Sequence, residues 1–324
     1  MKPTFPLFRL PENVVVHVLE SMDIGELFII SLVSSKTKNL VSSLGLEANY
    51  VNISISRSIR SSVRLGRNYL MLDFYKDSND QNELLPTDIT LPVAAYVGYK
   101  IPTIQSSTPF NFSNWLNHIK TVFCCNQPPK FHFAPGWETF GIESLKEAIG
   151  SVKKLVLETS LTNDSSRKLL KHFNSPSELF LERNPFEDAC QTQQILIQNF
   201  EFIGFNDPFS LDDMLLINSK MVESYHKISQ TQFNRFVKHW IRGSNPRLQY
   251  MSLLIDMGDF VNGEVYLKGI RCMEMSEDAK TEIREKYDLT TYVDMIQIRR
   301  KDGTTAAIGS LEDDVLYVHF IVLH

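Results

Sequence analysis

From about residue 150 onward the chain repeats one pattern, a short apolar strand followed by a polar-faced helix. The strand centres fall near Leu155, Leu179, Phe202, Val222 and Tyr250. No other feature narrows the fold as much. One such unit has an apolar face that it cannot bury alone, so each needs neighbours, and the steps lie within or near the roughly 20–29 residue range of stacked repeats. The clearest helix starts at Ser229, whose side chain can cap it with Gln232 answering from the third position. Phe233, Phe236, Val237, Trp240 and Ile241 make its buried stripe, and Gly243 is placed to end it. Trp240 is therefore expected in the core, with Lys238 and His239 at the surface.

The tail reads as sheet. Met295 to Lys301, Asp302-Gly303 and Thr304 to Ile308 form an expected hairpin, since Asp-Gly accepts the positive dihedrals of a type I′ turn. Val315 to Leu323 is apolar on both faces, which predicts an inner strand, and its expected partners are the strands at Asn52–Arg57 and Tyr69–Tyr75. Asp77 to Asn82 reads as an exposed loop, and the aromatic, proline-bearing stretch from Pro92 to Trp137 is ambiguous.

Residues 5 to 45 read as three short helices. Leu10-Pro11 starts the first, before Val14, Val15, Val18, Leu19 and Met22 at helical spacing. Asp23 caps the second, and Glu26 completes a capping-box arrangement ahead of Leu27, Phe28, Ile30 and Leu32. Val33, Leu40, Val41 and Leu44 continue into a third that ends at Gly45. About forty residues bury little surface alone, so part of this apolar surface is expected to be covered by another protein.

Phe5-Pro6-Leu7-Phe8-Arg9-Leu10-Pro11, the Val14 to Leu19 run and Ser31 to Lys38 resemble an F-box of the nematode-expanded kind. Ser210 to Leu215, Asn218-Ser219-Lys220, Phe233 to Ser244 and Pro246-Arg247-Leu248 are similar to the nematode F-box-associated domain, over roughly residues 165 to 265. The resemblance implies a Skp-type adaptor as partner, bound through Leu10, Pro11, Val14, Leu27, Leu32 and Val33, and through it a cullin and a ubiquitin-conjugating enzyme. It also implies target recognition by the second domain, without mapping the residues. Many F-boxes carry Trp where this chain has Thr37, which puts the adaptor contact there in question.

The architecture expected is α+β or α/β. An N-terminal three-helix F-box (residues 1–46) precedes a connecting β-rich region (47–149). An F-box-associated domain (150–324) follows, with irregular leucine-rich-repeat-like strand-helix units and a C-terminal antiparallel β-sheet. Strand alternation supplies the target face. In Glu178-Leu179-Phe180-Leu181-Glu182 the leucines point into the core, leaving Glu178, Phe180 and Glu182 outward. The same phase exposes Glu201 and Ile203, then Glu223 and Tyr225, then Gln249 and Met251. Aromatic and Met side chains amid acids suit a basic or mixed partner segment.

Enzymatic chemistry is not expected. No P-loop, dinucleotide glycine fingerprint, zinc-ligand pair, Gly-x-Ser-x-Gly turn or Cys-His constellation occurs, so the reading contains no catalytic residue, no metal and no cofactor. Asp212-Asp213 and Asp313-Asp314 read as loop or first-turn carboxylates. A formal net charge of -5 argues against a dedicated nucleic-acid binder. Arg57, Arg60, Arg64 and Arg67 form the one dense basic stretch, read as a solvated face, with specific anion binding as the alternative. Cys124, Cys125, Cys190 and Cys272 lack disulfide-scaffold density, in keeping with a reducing compartment. No segment reads as a signal peptide or membrane span, so an intracellular protein of cytoplasm or nucleus is expected. The competing function is a repeat-type interaction scaffold not coupled to a ligase.

Overall fold

Three short helices come first: α1 (Glu12–Glu20), α2 (Ile24–Ser31) and α3 (Ser35–Ser42). The computed structural model describes residues 9–75, 88–97, 103–104, 109–125, 127–174, 176–256, 265–312 and 315–323, in two compact units, residues 1–175 and 176–324. The expected loop at Asp77–Asn82, the pair Asp313-Asp314 and the Phe5–Phe8 part of the N-terminal motif lie outside the described residues. Asp23 and Glu26 form the expected reciprocal cap of α2, at 2.8 and 3.0 Å. Ser34 and Thr37 cap α3 in the same way. Thr37 is thus turned inward, with its hydroxyl donating to the Ser34 carbonyl at 2.8 Å. Pro11 stands one residue ahead of α1, as its N-cap.

The apolar side of α2 is consumed within its own unit. Phe28 is fully buried, and its ring lies 6.1 Å from Trp115 and 5.6 Å from His118 in α4 (Phe112–Val122), and 6.0 Å from Phe123. Ser31 donates its single hydroxyl proton to the Phe28 carbonyl, so His118 Nε2, 2.7 Å from Ser31 Oγ, must donate the second bond. Burial, with Lys38 adding repulsion, lowers the His118 pKa from 6.5 to about 4. A depressed folded value means that the unfolded chain takes up the proton first as pH falls. Stability linked to His118 is therefore full above pH 6.5 and lost between 6.5 and about 4. Unfolding of wild type and His118→Asn across that window should show a steeper loss for wild type; parallel curves would mean that the imidazole stays hydrated.

The sheet of the first unit runs in the order β5-β4-β3-β2-β1-β6-β7. Its strands are β1 (Tyr50–Ile55), β2 (Ile59–Leu65), β3 (Asn68–Phe74), β4 (Ala95–Val97), β5 (Thr103–Ile104), β6 (Lys130–Phe133) and β7 (Lys154–Leu157). Strands β1 to β5 pair antiparallel, while β6 pairs parallel with both β1 and β7. Val51, Ile53, Ile55, Ile59, Val63, Phe131 and Phe133 point to the buried side. The Ser- and Arg-rich stretch is itself strand β2, with Ile59, Ser61 and Val63 inward. Two further helices, α5 (Ile142–Ile149) and α6 (Asn163–His172), belong to this unit.

In the second unit strands and helices alternate, then a meander closes the sheet. The alternating part is β8 (Glu178–Leu181), α7 (Ala189–Leu196), β9 (Phe202–Phe205), α8 (Leu211–Leu216), β10 (Met221–Ile228), α9 (Gln230–Arg242) and β11 (Tyr250–Ile255). It continues with β12 (Met273–Glu274), α10 (Glu277–Tyr287), β13 (Asp294–Arg299), β14 (Thr305–Glu312) and β15 (Leu316–Leu323). The order is β8-β9-β10-β11-β15-β14-β13-β12; the first four strands are parallel and the rest pair antiparallel. Every expected strand centre lies in a strand, from Leu155 in β7 to Tyr250 in β11. Both units are mixed α and β, and no helix among the described residues is long and apolar enough to cross a membrane.

Helix α9 follows its sequence pattern, with Phe233, Phe236, Val237 and Trp240 fully buried and Gly243 at φ 122° ending it. Its cap is only half as expected. Ser229 accepts from the Gln232 backbone at 3.1 Å, but Gln232 Nε2 donates to the Phe209 carbonyl at 2.8 Å instead of turning back. Two further expectations need correction. Strand β15 is an inner strand, yet its partners are β11 and β14 rather than the Asn52–Tyr75 strands; the Phe236 and Trp240 rings meet Phe320 edge-on at 5.8 and 5.0 Å, binding it to α9. Residues 300 to 304 form the hairpin loop, with Arg300 N–H donating to Thr304 O at 2.7 Å. Only Gly303 there has positive φ, so the turn is not type I′. Finally, Asn245, unremarked in the sequence pattern, adopts φ 51° and donates from Nδ2 to the Met214 and Ile217 carbonyls, both at 2.9 Å, tying off the end of α8.

Candidate protein-interaction face

Register decides which side chains share a face. Leu179 (β8), Ile203 (β9), Val222 (β10) and Met251 (β11) are aligned partners and all are buried, on the side that α9 covers. One residue along, Phe180, Gly204, Glu223 and Ser252 align on the opposite face. There the rings of Phe180 and Phe202 stack at 6.5 Å, and Tyr225 meets Phe180 edge-on at 5.9 Å. Tyr225 donates its hydroxyl to Glu223 Oε2 at 3.1 Å. The β10–β11 register shifts between Glu223 and Lys227, a bulge of the kind that re-aims a side chain, and Tyr225 stands in it 58% exposed. Burial raises the Tyr225 pKa, with Glu223 adding to it, so the phenol stays protonated and a donor.

Gly204 makes the arrangement possible. A Cβ there would collide with the Phe180 ring, so the ring lies flat over bare backbone. Farther along the same face α10 takes over. Tyr250 stacks on Tyr287 at 5.3 Å, and Tyr250, Ile283, Val293, Met295, Ala307 and Ile321 form a closed cluster. The aromatic strip over β8 to β10, flanked by the exposed Met221, lies beside that covered part.

Several expected target-face residues fall elsewhere. Glu178, Phe180, Glu182 and Glu223 are half-buried on the strip side and Tyr225 is exposed, but Ile203 and Met251 are fully buried. The phase slipped because β9 is Phe-Ile-Gly-Phe, apolar throughout, and because α10 buries Tyr250 from the other side, so alternation is erased in both strands. Glu201 is exposed but neutralised by Lys220 at 2.8 Å. On the N-terminal helices, Pro11, Val14 and Val33 are exposed and Leu10 is half-buried, whereas Leu27 and Leu32 are enclosed by the unit itself. The sequence could not separate the two groups, because α4, which packs Trp115 and His118 against Phe28 of α2, lies in the stretch that was ambiguous.

The comparisons with known proteins bear on both ends. An F-box domain model matches residues 7–49, and an F-box associated model matches residues 191–253. An F-box associated domain-containing protein of Caenorhabditis elegans, sdz-33, is 24% identical over 245 residues, covering 75% of this chain and 76% of its own length. The chain resembles F-box proteins of the nematode type. No solved structure matches it. The F-box comprises α1 to α3, and the F-box-associated match runs from α7 to β11, taking in Gly204, Glu223, Tyr225 and Asn245. F-box domains in general are adaptor modules for substrate recognition in SCF-type ubiquitin ligases and bind Skp-type adaptors.

Proposed function

We propose that the chain is the substrate-recognition subunit of an SCF-type ubiquitin ligase, acting inside the cell without chemistry of its own. In this reading α1 to α3 engage a Skp-type adaptor and through it a cullin, while the F-box-associated unit holds a target protein. The order of an F-box ahead of an F-box-associated domain carries the proposal. Leu10, Pro11, Val14 and Val33 are the adaptor contacts that remain accessible. The target site is the strip of Phe180, Glu223 and Tyr225 with Met221, which suits a basic or mixed segment. Parallel strands joined by helices support treating β8 to β11 as leucine-rich-repeat-like units with this strand face as the recognition surface.

A second reading, an interaction scaffold uncoupled from any ligase, is favoured by the burial of Phe28 in the chain's own core. Affinity purification separates the two. The tagged chain should retain a Skp-type adaptor and a cullin in near-equal amounts, and Leu10→Ala with Pro11→Ala should release both. Tyr225→Ala should keep them, keep its melting temperature and lose the target. An eluate without adaptor would establish the scaffold reading instead, and a Tyr225→Ala chain that still captures the target at full yield would move the target site off the strip.

A further inference from the structure

The four arginines of the Ser-rich stretch part company in the fold. Arg60 pairs with the buried carboxylate of Asp73 at 2.6 Å, and Arg57 and Arg67 are exposed in turns. Arg64 stands on the outward face of β2, in register with Tyr50 of β1 and Tyr69 of β3. Its guanidinium lies 5.8 Å from the Tyr50 ring centre and 5.5 Å from that of Tyr69, and Nε donates to the Gly66 carbonyl at 3.0 Å. Lys130 of β6 reaches the same Tyr50 ring, at 5.5 Å. Along the sheet Lys130 is aligned with Asn52 on one side and Lys154 on the other.

Around Arg64 and Lys130 this face is positive, and both cations are held by aromatic contacts rather than by acids. Among the described residues no ion pair joins Arg64 or Lys130 to a carboxylate. We propose that the outward face of β7, β6, β1 and β2 docks an acidic peptide segment of a protein partner, with Arg64 and Lys130 as its principal contacts.

The spread of charge selects this ligand. Lys130 and Arg64 come from the two strands that flank β1, with neighbouring strands about 4.8 Å apart, so separated carboxylates along one chain suit them better than one compact anion. Nucleic acid fits less well, because the Tyr50 ring already carries two cations and is not free to stack on a base. The acidic overall charge of -5 makes this positive face a local exception.

The test is fluorescence anisotropy on the full chain with a labelled peptide of about eight glutamates, long enough to cross these strands at about 3.3 Å per residue. An equally long glutamine peptide is the control. The glutamate peptide should bind and the glutamine peptide should not, with affinity falling as salt rises. Lys130→Gln should weaken binding at least about threefold, and Lys130→Gln with Arg64→Gln about tenfold or more. Lys130 is exposed, so its single variant keeps the measurement interpretable if loss of Arg64 disturbs the sheet. Equal binding of both peptides, unchanged affinity in both variants, or tighter binding of a single-stranded oligonucleotide would each overturn the proposal.

Discussion

Phe28→Ala should destabilise the first unit by roughly 3–5 kcal/mol, the range for removing a fully enclosed aromatic side chain. That is a large part of the about 5–15 kcal/mol that holds an ordinary domain folded. The ring touches Trp115, His118 and Phe123, so its loss opens a cavity between α2 and α4 that rigid neighbours cannot close. Urea unfolding of the full chain measures the loss, and Phe28→Leu should recover part of it. A cost under about 1 kcal/mol would mean that the F-box helices are an appended module whose core does not depend on α4.

Asn245→Leu should cost roughly 2–4 kcal/mol from two sources that a second variant separates. The first is the loss of the amide that satisfies the Met214 and Ile217 carbonyls, both buried contacts. The second is backbone strain, because φ 51° is a left-handed conformation that Asn tolerates and Leu resists. Asn245→Gly removes the amide but accepts the dihedral, so it should fall between wild type and Leu in urea midpoint. Equal losses for Gly and Leu would assign the whole effect to the hydrogen bonds.

These two residues mark what the sequence could and could not convey. Helix limits set by neighbours in the chain were legible: the Asp23–Glu26 box, the Ser229 cap and the Gly243 stop all depend on residues within one turn of each other. The α9 stripe was legible for the same reason, since helical spacing alone puts Phe233, Phe236, Val237 and Trp240 on one side. Long-range partners were not. Nothing local distinguishes Leu27 and Leu32, enclosed by their own unit, from Val14 and Val33, which remain outside, because all four read as apolar helix positions, although Leu32 and Val33 stand in the turn after α2. Strand phase was legible in β8, where Glu, Leu, Phe, Leu and Glu alternate, and illegible in β9, where four apolar residues leave only the pairing with Leu179 and Leu181 to choose a face. Asn245 gave no signal, because its partners lie about thirty positions earlier in the chain and an amide bonded to carbonyls has no spacing rule.

Among the described residues, the sheet of the second unit ends in a strand of two residues, β12. An unpaired strand edge is a template on which another chain can add, and the number of backbone groups offered sets how firmly it can do so. With two residues the incoming strand finds too few for a stable ladder, and at β12 an exposed Glu274 adds charge repulsion toward acidic newcomers. A sheet rich in apolar strands is thereby guarded at this border against runaway self-assembly.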